Sequence, residues 1–471
     1  MPPGPQVAAV VLAAGLGKRF RSTLPKLLHP AAGRPLIWHV LRATSRIASL
    51  GPLIVVVGHG RQQIIDAVAE WPNATFVDQP ERLGTGDAVR RAEQALAGFD
   101  GPVLVLPGDH PLITTATLEG LLEHHVKTRA SATLLSARLE DPTGYGRIIR
   151  AGEQGAFRVV EEADASPAQR AVTEVSTGIW CFEKEPLFRA LAGVRDDNAQ
   201  GEYYLPDAVW IIASEGSRVD TVPASDADEV RGVNDRSQLA EAGEGLRARH
   251  LKALMAAGVT IEDPPATYID VGVEVGQDTV IRPLTFLEGE TSIGEGCLIG
   301  PCTRIVSSMV GDGAEVTFSV VRSCTIGPRT QVGPYASLRP GTRLEARSKV
   351  GTFVEMKESI LGEGSKVPHL SYMGDAVIGK NVNVGAGSIT CNYDGETKRK
   401  SATVIEDGVL IGSDTMLVAP VTVGREAVTG ASAVVTRDIA PGDAVIGAPA
   451  RPIRRRRPRD NETLDHPETK E

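Results

Sequence analysis

The sequence predicts an α/β chain in two parts: a Rossmann-like domain, then a left-handed parallel β-helix of hexapeptide repeats. Three observations carry this. Val7–Ala14 is an unbroken apolar run that breaks into Gly15-Leu16-Gly17, as a parallel strand buried on both faces does. Strand-like and helical stretches then alternate through the first half. From Val275 onward, aliphatics fall six residues apart at Val275, Ile281, Leu287, Ile293, Ile299 and Ile305, and again from Val320 to Val350, a spacing that neither a helix nor an alternating strand produces.

Composition narrows the function classes. A chain of 471 residues suits two or three domains. Hydrophobic residues at 42% and charged residues at 23% are those of a soluble globular protein. A net charge of -9 argues against a broad nucleic-acid surface. No run approaches the ~18 apolar residues of a membrane span, and the N-terminus lacks a basic n-region. The five cysteines form no CxxC pair, which favours free thiols and a cytoplasmic protein.

Gly15 and Gly17 let backbone N–H groups approach a phosphate, and Lys18 and Arg19 add charge. Alone, this reads equally as a plain strand and turn. Leu53–Gly58 reads as the next strand and Arg61–Glu70 as a helix. Val103–Leu106 is a further strand that ends in Pro107-Gly108-Asp109. An acid at the carboxyl end of a central strand stands where open α/β sheets bind ligands. Asp109 is thus a metal-ligand candidate, or else the cap of a helix starting near Thr114.

The glycine-rich loop ending in Arg19, followed by Pro25-Lys26, resembles the sugar-nucleotidyltransferase family. Gly108-Asp109-His110-Pro111-Leu112, Gln79 with Leu83-Gly84-Thr85-Gly86, and Gly232-Val233-Asn234 extend the match. The resemblance implies that Leu12, Ala13, Ala14, Gly15, Lys26, Gln79, Gly84 and Thr85 hold the nucleotide. Arg19 and Lys26 would stabilise charge that gathers during phosphoryl transfer. Gly146, Glu161 and Ser176 would line the sugar side, and Asp109 with Asn234 would hold Mg²⁺. Three positions depart from the family pattern: Arg82 replaces a Gln, Asp87 a His and Ser176 an Asn.

Arg236–Ala256 reads as a helix, and Pro264-Pro265 ends the stretch. The expected organisation is a nucleotidyltransferase domain over 1–235, a linker helix over 236–265, the coil over 266–450 and a disordered tail over 451–471.

In the coil, each hexapeptide supplies one short strand and a turn. The phase breaks between Ile360 and Ile378, so Pro368–Tyr372 is expected to leave the coil as a loop that presents His369. Leu338-Arg339-Pro340-Gly341, Phe353–Lys357, His369–Tyr372, Asn381–Asn383 and Cys391–Gly395 resemble the bacterial bifunctional N-acetylglucosamine-1-phosphate uridyltransferases / glucosamine-1-phosphate N-acetyltransferases. The resemblance covers about Val7 to Ala450. It implies His369 as general base, with Glu355 orienting it. It assigns Arg339, Lys357, Tyr372 and Asn383 to glucosamine 1-phosphate, and Ala386, Asn392, Tyr393, Ser413 and Ala431 to acetyl-CoA. It further implies UTP and acetyl-CoA as co-substrates and a homotrimer joined through the coil. Lys400–Val404 is longer than the family pattern, which leaves the register of Ser413 open. Ala448 stands where some members carry Arg, and Arg451 or the Arg454–Arg457 run is the alternative to it. Two rivals stay open: a single-activity nucleotidyltransferase whose coil is an oligomerisation stem, and a non-enzymatic sugar-nucleotide-binding regulator.

Overall fold

The computed structural model describes residues 6–150 and 157–455. The chain divides into two compact units, Met1–Leu246 and Arg247–Glu471, and the division falls within one helix, Arg236–Ala256.

The first unit is built on a nine-stranded sheet. Its main path runs Val219–Pro223, Ala132–Arg138, Glu174–Glu183, Pro102–Pro107, Val7–Ala13, Leu50–Val57 and Ala74–Asp78. Val7–Ala13 is central and pairs in parallel with Leu50–Val57 on one side and Pro102–Pro107 on the other. The order therefore reverses at this strand, and a crevice opens beyond its carboxyl end. On this path Glu174–Glu183 is the antiparallel strand, paired with Pro102–Pro107 and Ala132–Arg138. Side-chain alternation divides the core in two. Val7, Ala9, Val11 and Ala13 join one buried cluster, while Ala8 and Val10 join the other. Covering both faces is what makes the run continuously apolar. The helix expected near Thr114 spans Thr115–Thr128, and its cap is Thr114, whose hydroxyl accepts from the Thr117 N–H. Asp109 does not cap that helix.

The second unit winds into three parallel sheets of short strands, consistent with the left-handed β-helix. Each coil contributes one strand to each sheet. The inward residues form one continuous core from Leu251 to Val445. The phase tightens at several corners, so the inward residue of the second run is Val321 rather than Val320, which is exposed. The coil also starts before residue 266, because Thr260–Ile261 already pairs with Val280–Ile281.

Two expectations need correction. Pro368–Tyr372 is no loop insertion. Lys366–His369 and Tyr372–Gly374 are regular strands, and Thr352 pairs with His369. The true excursion is later, between Ile389–Cys391 and Thr403–Ile405. Ile378 pairs with Ile405 across it, whereas one turn earlier Leu361 pairs with Ile378. Second, the expected tail does not begin at 451. Arg451–Arg455 forms a strand antiparallel to Asp443–Ile446. The rest of that tail, with Arg456 and Arg457, lies outside the described residues.

One buried histidine makes the first unit sensitive to acid. Burial pushes the His39 imidazole down to about 4, against a hydrogen bond to the Ala31 carbonyl at 2.9 Å. The unfolded chain binds this proton near pH 6.5 and the folded chain does not, so the contribution is complete above pH 6.5 and is lost as pH falls towards 4. The shift corresponds to about 3 kcal/mol. All four tryptophans lie in the first unit, so denaturant unfolding followed by tryptophan fluorescence reads it alone. His39→Gln is expected to flatten the pH dependence between 6.5 and 4, with buried His29, also lowered by desolvation, keeping the rest. An unchanged slope would assign it elsewhere.

Candidate active sites

The crevice at the switch point is a cavity of about 770 Å³. Leu12, Ala14, Gly15, Arg19, Lys26, Gln79, Gly84, Thr85, Asp109, Gly146, Glu161, Ser176 and Asn234 all line it. Ala13 does not, because strand alternation turns its side chain into the core.

At the cavity floor, charges converge on one point. Lys26 Nζ donates to Asp109 Oδ2 and, at 3.3 Å, to Asn234 Oδ1. Arg19 Nη2 donates to the same Asn234 oxygen at 2.8 Å. Burial alone would raise the Asp109 carboxyl, but the Lys26 ammonium and a hydrogen bond from His110 outweigh it and hold the group well below the ordinary range. The His110 Nδ1 to Asp109 Oδ1 distance is 2.9 Å. Asn234 is tied to this floor by its neighbour, as Val233 N–H donates to the Asp109 carbonyl at 2.9 Å.

Gly17 explains how Lys26 gets there. Its φ is 61°, and a Cβ at this position would stand 2.4 Å from the Lys26 Cβ. Only glycine permits both the left-handed turn and that approach. On the far side of the cavity, burial and then Asp164, Asp207 and Glu202 raise Glu161. Ser176 N–H donates to the Gly146 carbonyl at 2.8 Å, which fixes these two wall residues together.

His110 and Asp87 are the residues whose part was missed. Their signal was local: His110 meets the adjacent Asp109, and Asp87 meets Arg90 and Arg91 at i+3 and i+4 on its own helix.

On the coil, the expected residues fall into two groups. Arg339, Lys357, Tyr372 and Asn392 belong to one sheet and its following corner. Arg339 Nη1 donates to Glu355 Oε1 at 2.7 Å, so Glu355 serves Arg339 and not His369. Asn392 Nδ2 donates to Asp375 Oδ2 and lies 3.5 Å from the Tyr372 hydroxyl. The excursion adds a residue not anticipated, Lys400. Lys400 stands beside Lys357, and this neighbour, with desolvation, lowers the Lys357 ammonium. Tyr393, which bridges Lys400 in the same excursion, is exposed.

The second group stands at the edge of the neighbouring sheet. His369 and Asn383 are exposed on adjacent strands, Lys366–His369 and Asn383–Val384. The His369 carbonyl accepts from Gly387 N–H at 3.4 Å and from the Ser371 hydroxyl at 2.7 Å. Ala386, Ser413 and Ala431 then form a column on successive coils. Val384 pairs with Ile411, the Ala386 carbonyl accepts from Asp414 N–H at 2.7 Å, and the Ser413 carbonyl accepts from Ser432 N–H at 2.8 Å. The longer Lys400–Val404 segment is absorbed by the excursion and does not shift Ser413 out of this column. Ala448 and Arg451 are both exposed. Among the described residues no helix is long and apolar enough to cross a membrane, and all five cysteines are free.

Residues 9–188 match the MobA-like NTP transferase domain. Three curated relatives match nearly end to end, each named bifunctional protein GlmU. That of Geobacter metallireducens is 49% identical over 93% of this chain and 96% of its own. That of Heliobacterium modesticaldum is 48% identical over 92% and 94%. That of Syntrophomonas wolfei is 46% identical over 93% and 96%. Such identity runs through both the crevice and the coil, and the chain therefore belongs to the bifunctional GlmU family.

Proposed function

We propose that the chain is a two-step enzyme. The coil transfers the acetyl group of acetyl-CoA to the amine of glucosamine 1-phosphate. The first unit then transfers UMP from UTP to the acetylated sugar phosphate, giving UDP-N-acetylglucosamine and pyrophosphate. The observation that carries the reading is the convergence of Lys26, Arg19, Asp109 and Asn234 at one point of the crevice.

In uridylyl transfer, the sugar-phosphate oxygen attacks the α-phosphorus of UTP and pyrophosphate leaves. Negative charge accumulates on the transferring group, and preorganised Lys26 and Arg19 lower its energy there. The residues present fit Mg²⁺. Asp109 and Asn234 direct two hard oxygens at one cation position, now filled by the Lys26 ammonium. No cluster of three or more His, Cys, Asp or Glu side chains suited to a metal exists among the described residues, so the substrate phosphates and water would complete the shell. When bound, Mg²⁺ neutralises phosphate charge.

In acetyl transfer, a base must take the amine proton as nitrogen attacks the thioester. His369 is an exposed imidazole at the end of its strand, against Gly387, which suits it to this role. Arg339, Lys357 and Lys400 gather positive charge for the sugar phosphate. Two ammonium groups side by side repel each other, and a phosphate relieves that repulsion. The column Ala386–Ser413–Ala431 presents small side chains where a thioester arm would run.

The assembly we propose is a homotrimer joined through the coil. Phe318, Tyr335 and Phe353 are exposed and in ring contact on successive coils, the first pair tilted and the second stacked, with centroids 5.6 and 5.4 Å apart. Leu284 and Leu370 are exposed at corners before and after them. An apolar ladder of this kind calls for cover.

Lys26→Ala is expected to cut pyrophosphate release from UTP and N-acetylglucosamine 1-phosphate by about 10²–10³ while leaving CoA release intact. His369→Ala is expected to do the reverse, costing about 10²–10⁴ in CoA release from acetyl-CoA and glucosamine 1-phosphate. Unchanged CoA release in His369→Ala would remove His369 as the base, and no release by wild type would leave the coil a stem only. Phe353→Asp is expected to yield monomers in analytical ultracentrifugation, with acetyl transfer lost and uridylyl transfer kept. A trimeric Phe353→Asp protein would exclude the ladder as the interface.

A further inference from the structure

Asp87 is a carboxylate whose side chain is fully buried on the short helix Thr85–Arg91. Two guanidinium groups flank its Oδ1, Arg90 at 2.8 Å and Arg91 at 3.4 Å. Its Oδ2 meets Gln79, whose Nε2 donates to it at 3.1 Å and to the Gly84 carbonyl at 3.0 Å.

This pair of contacts fixes the sense of an amide. An ionised carboxylate and a backbone carbonyl are both acceptors only, so the Gln79 nitrogen must face them. Turning the amide round would set oxygen against two oxygens, one of them charged and buried, and strand both acceptors. Gln79 Oε1 is the end left over, and Gln79 lines the cavity beside Gly84 and Thr85. The wall of the crevice thus offers a fixed acceptor at this point.

We propose that Asp87 is a positioning residue that sets nucleobase specificity. It holds the Gln79 amide so that its carbonyl, not its NH₂ group, meets the base. An acceptor there pairs with the N3–H of uracil and opposes the N3 lone pair of cytosine. The inference rests on the uridylyl-transfer reading and adds the reason for its base preference. Arg82, which lines the same cavity, does not enter it, because the polarity is set from behind Gln79.

The test compares UTP, CTP and N3-methyl-UTP in pyrophosphate release by the full chain, with Mg²⁺ and N-acetylglucosamine 1-phosphate. Wild type is expected to favour UTP over both others by about 100-fold or more in kcat/KM, as a site built around a hydrogen bond rejects an analogue lacking it. Asp87→Asn, which lets the amide turn, is expected to narrow the UTP-to-CTP ratio about tenfold. An equal loss on all three nucleotides, with the ratio kept, overturns the inference and leaves Asp87 a merely structural role. Gln79→Met keeps the side-chain length without the amide and is expected to lose the preference. Retention of the preference in Gln79→Met also overturns the inference, and this arm stands if Asp87→Asn fails to fold. Release from none of the nucleotides by wild type would overturn the uridylyl-transfer reading, and the inference with it.

Discussion

A carboxylate sunk at the end of an apolar sheet needs a cation beside it, and the first unit is arranged around that need. Asp109 follows Pro102–Pro107, a strand buried along almost its whole length. Ionised and alone, it would carry a heavy desolvation cost. Lys26 answers it, and the rest follows from placing that ammonium. Gly17 gives up its side chain so that Lys26 can pass. Asn234 is brought in by the Val233 bond to the Asp109 carbonyl. Arg19 then shares the Asn234 oxygen. The result is a point at which oxygen ligands already hold a positive charge, which is what a cation carried by a phosphate substrate also requires.

The coil obeys a different constraint. Each strand buries one residue inward, and every corner must satisfy its own backbone without a helix to help. Buried hydroxyls do this. Thr285 donates to the Arg282 carbonyl, Ser319 to Thr317, Ser359 to Lys357 and Ser388 to Gly385, each within 2.9 Å. With the corners settled, outward positions are free to carry chemistry. A stacked column is thereby built from residues distant in sequence, and Ala386, Ser413 and Ala431 align because the register is held by the core.

Opposed charges carry the local logic at both places, with different outcomes. In the crevice Asp109 neutralises Lys26, and the Asn234 amide oxygen accepts from both Lys26 and Arg19. On the coil Arg339 has Glu355, but Lys357 faces Lys400, and the contact lowers its ammonium. One place holds a cation among oxygen atoms; the other sets positive groups side by side.

Much of this was legible beforehand because periodicity and turn chemistry are local. The apolar run at Val7–Ala14 and the spacing of six from Val275 are direct images of burial, and each fixes an architecture whatever lies elsewhere. The loop glycines and the Asp109 strand end are legible for the same reason. What sequence reasoning placed wrongly depended on register. Spacings of five and six are both compatible with a coil corner, so a phase change at Pro368–Tyr372 looked like an insertion, while the real excursion hid within a polar stretch near Lys400. Glu355 meets Arg339 because both stand on the same sheet one coil apart, whereas His369 ends a strand of the neighbouring sheet. The meeting of Asp87 with Gln79, of Lys357 with Lys400 and of Asp109 with Lys26 belongs to the tertiary structure alone, since only the folded backbone sets those side chains within reach.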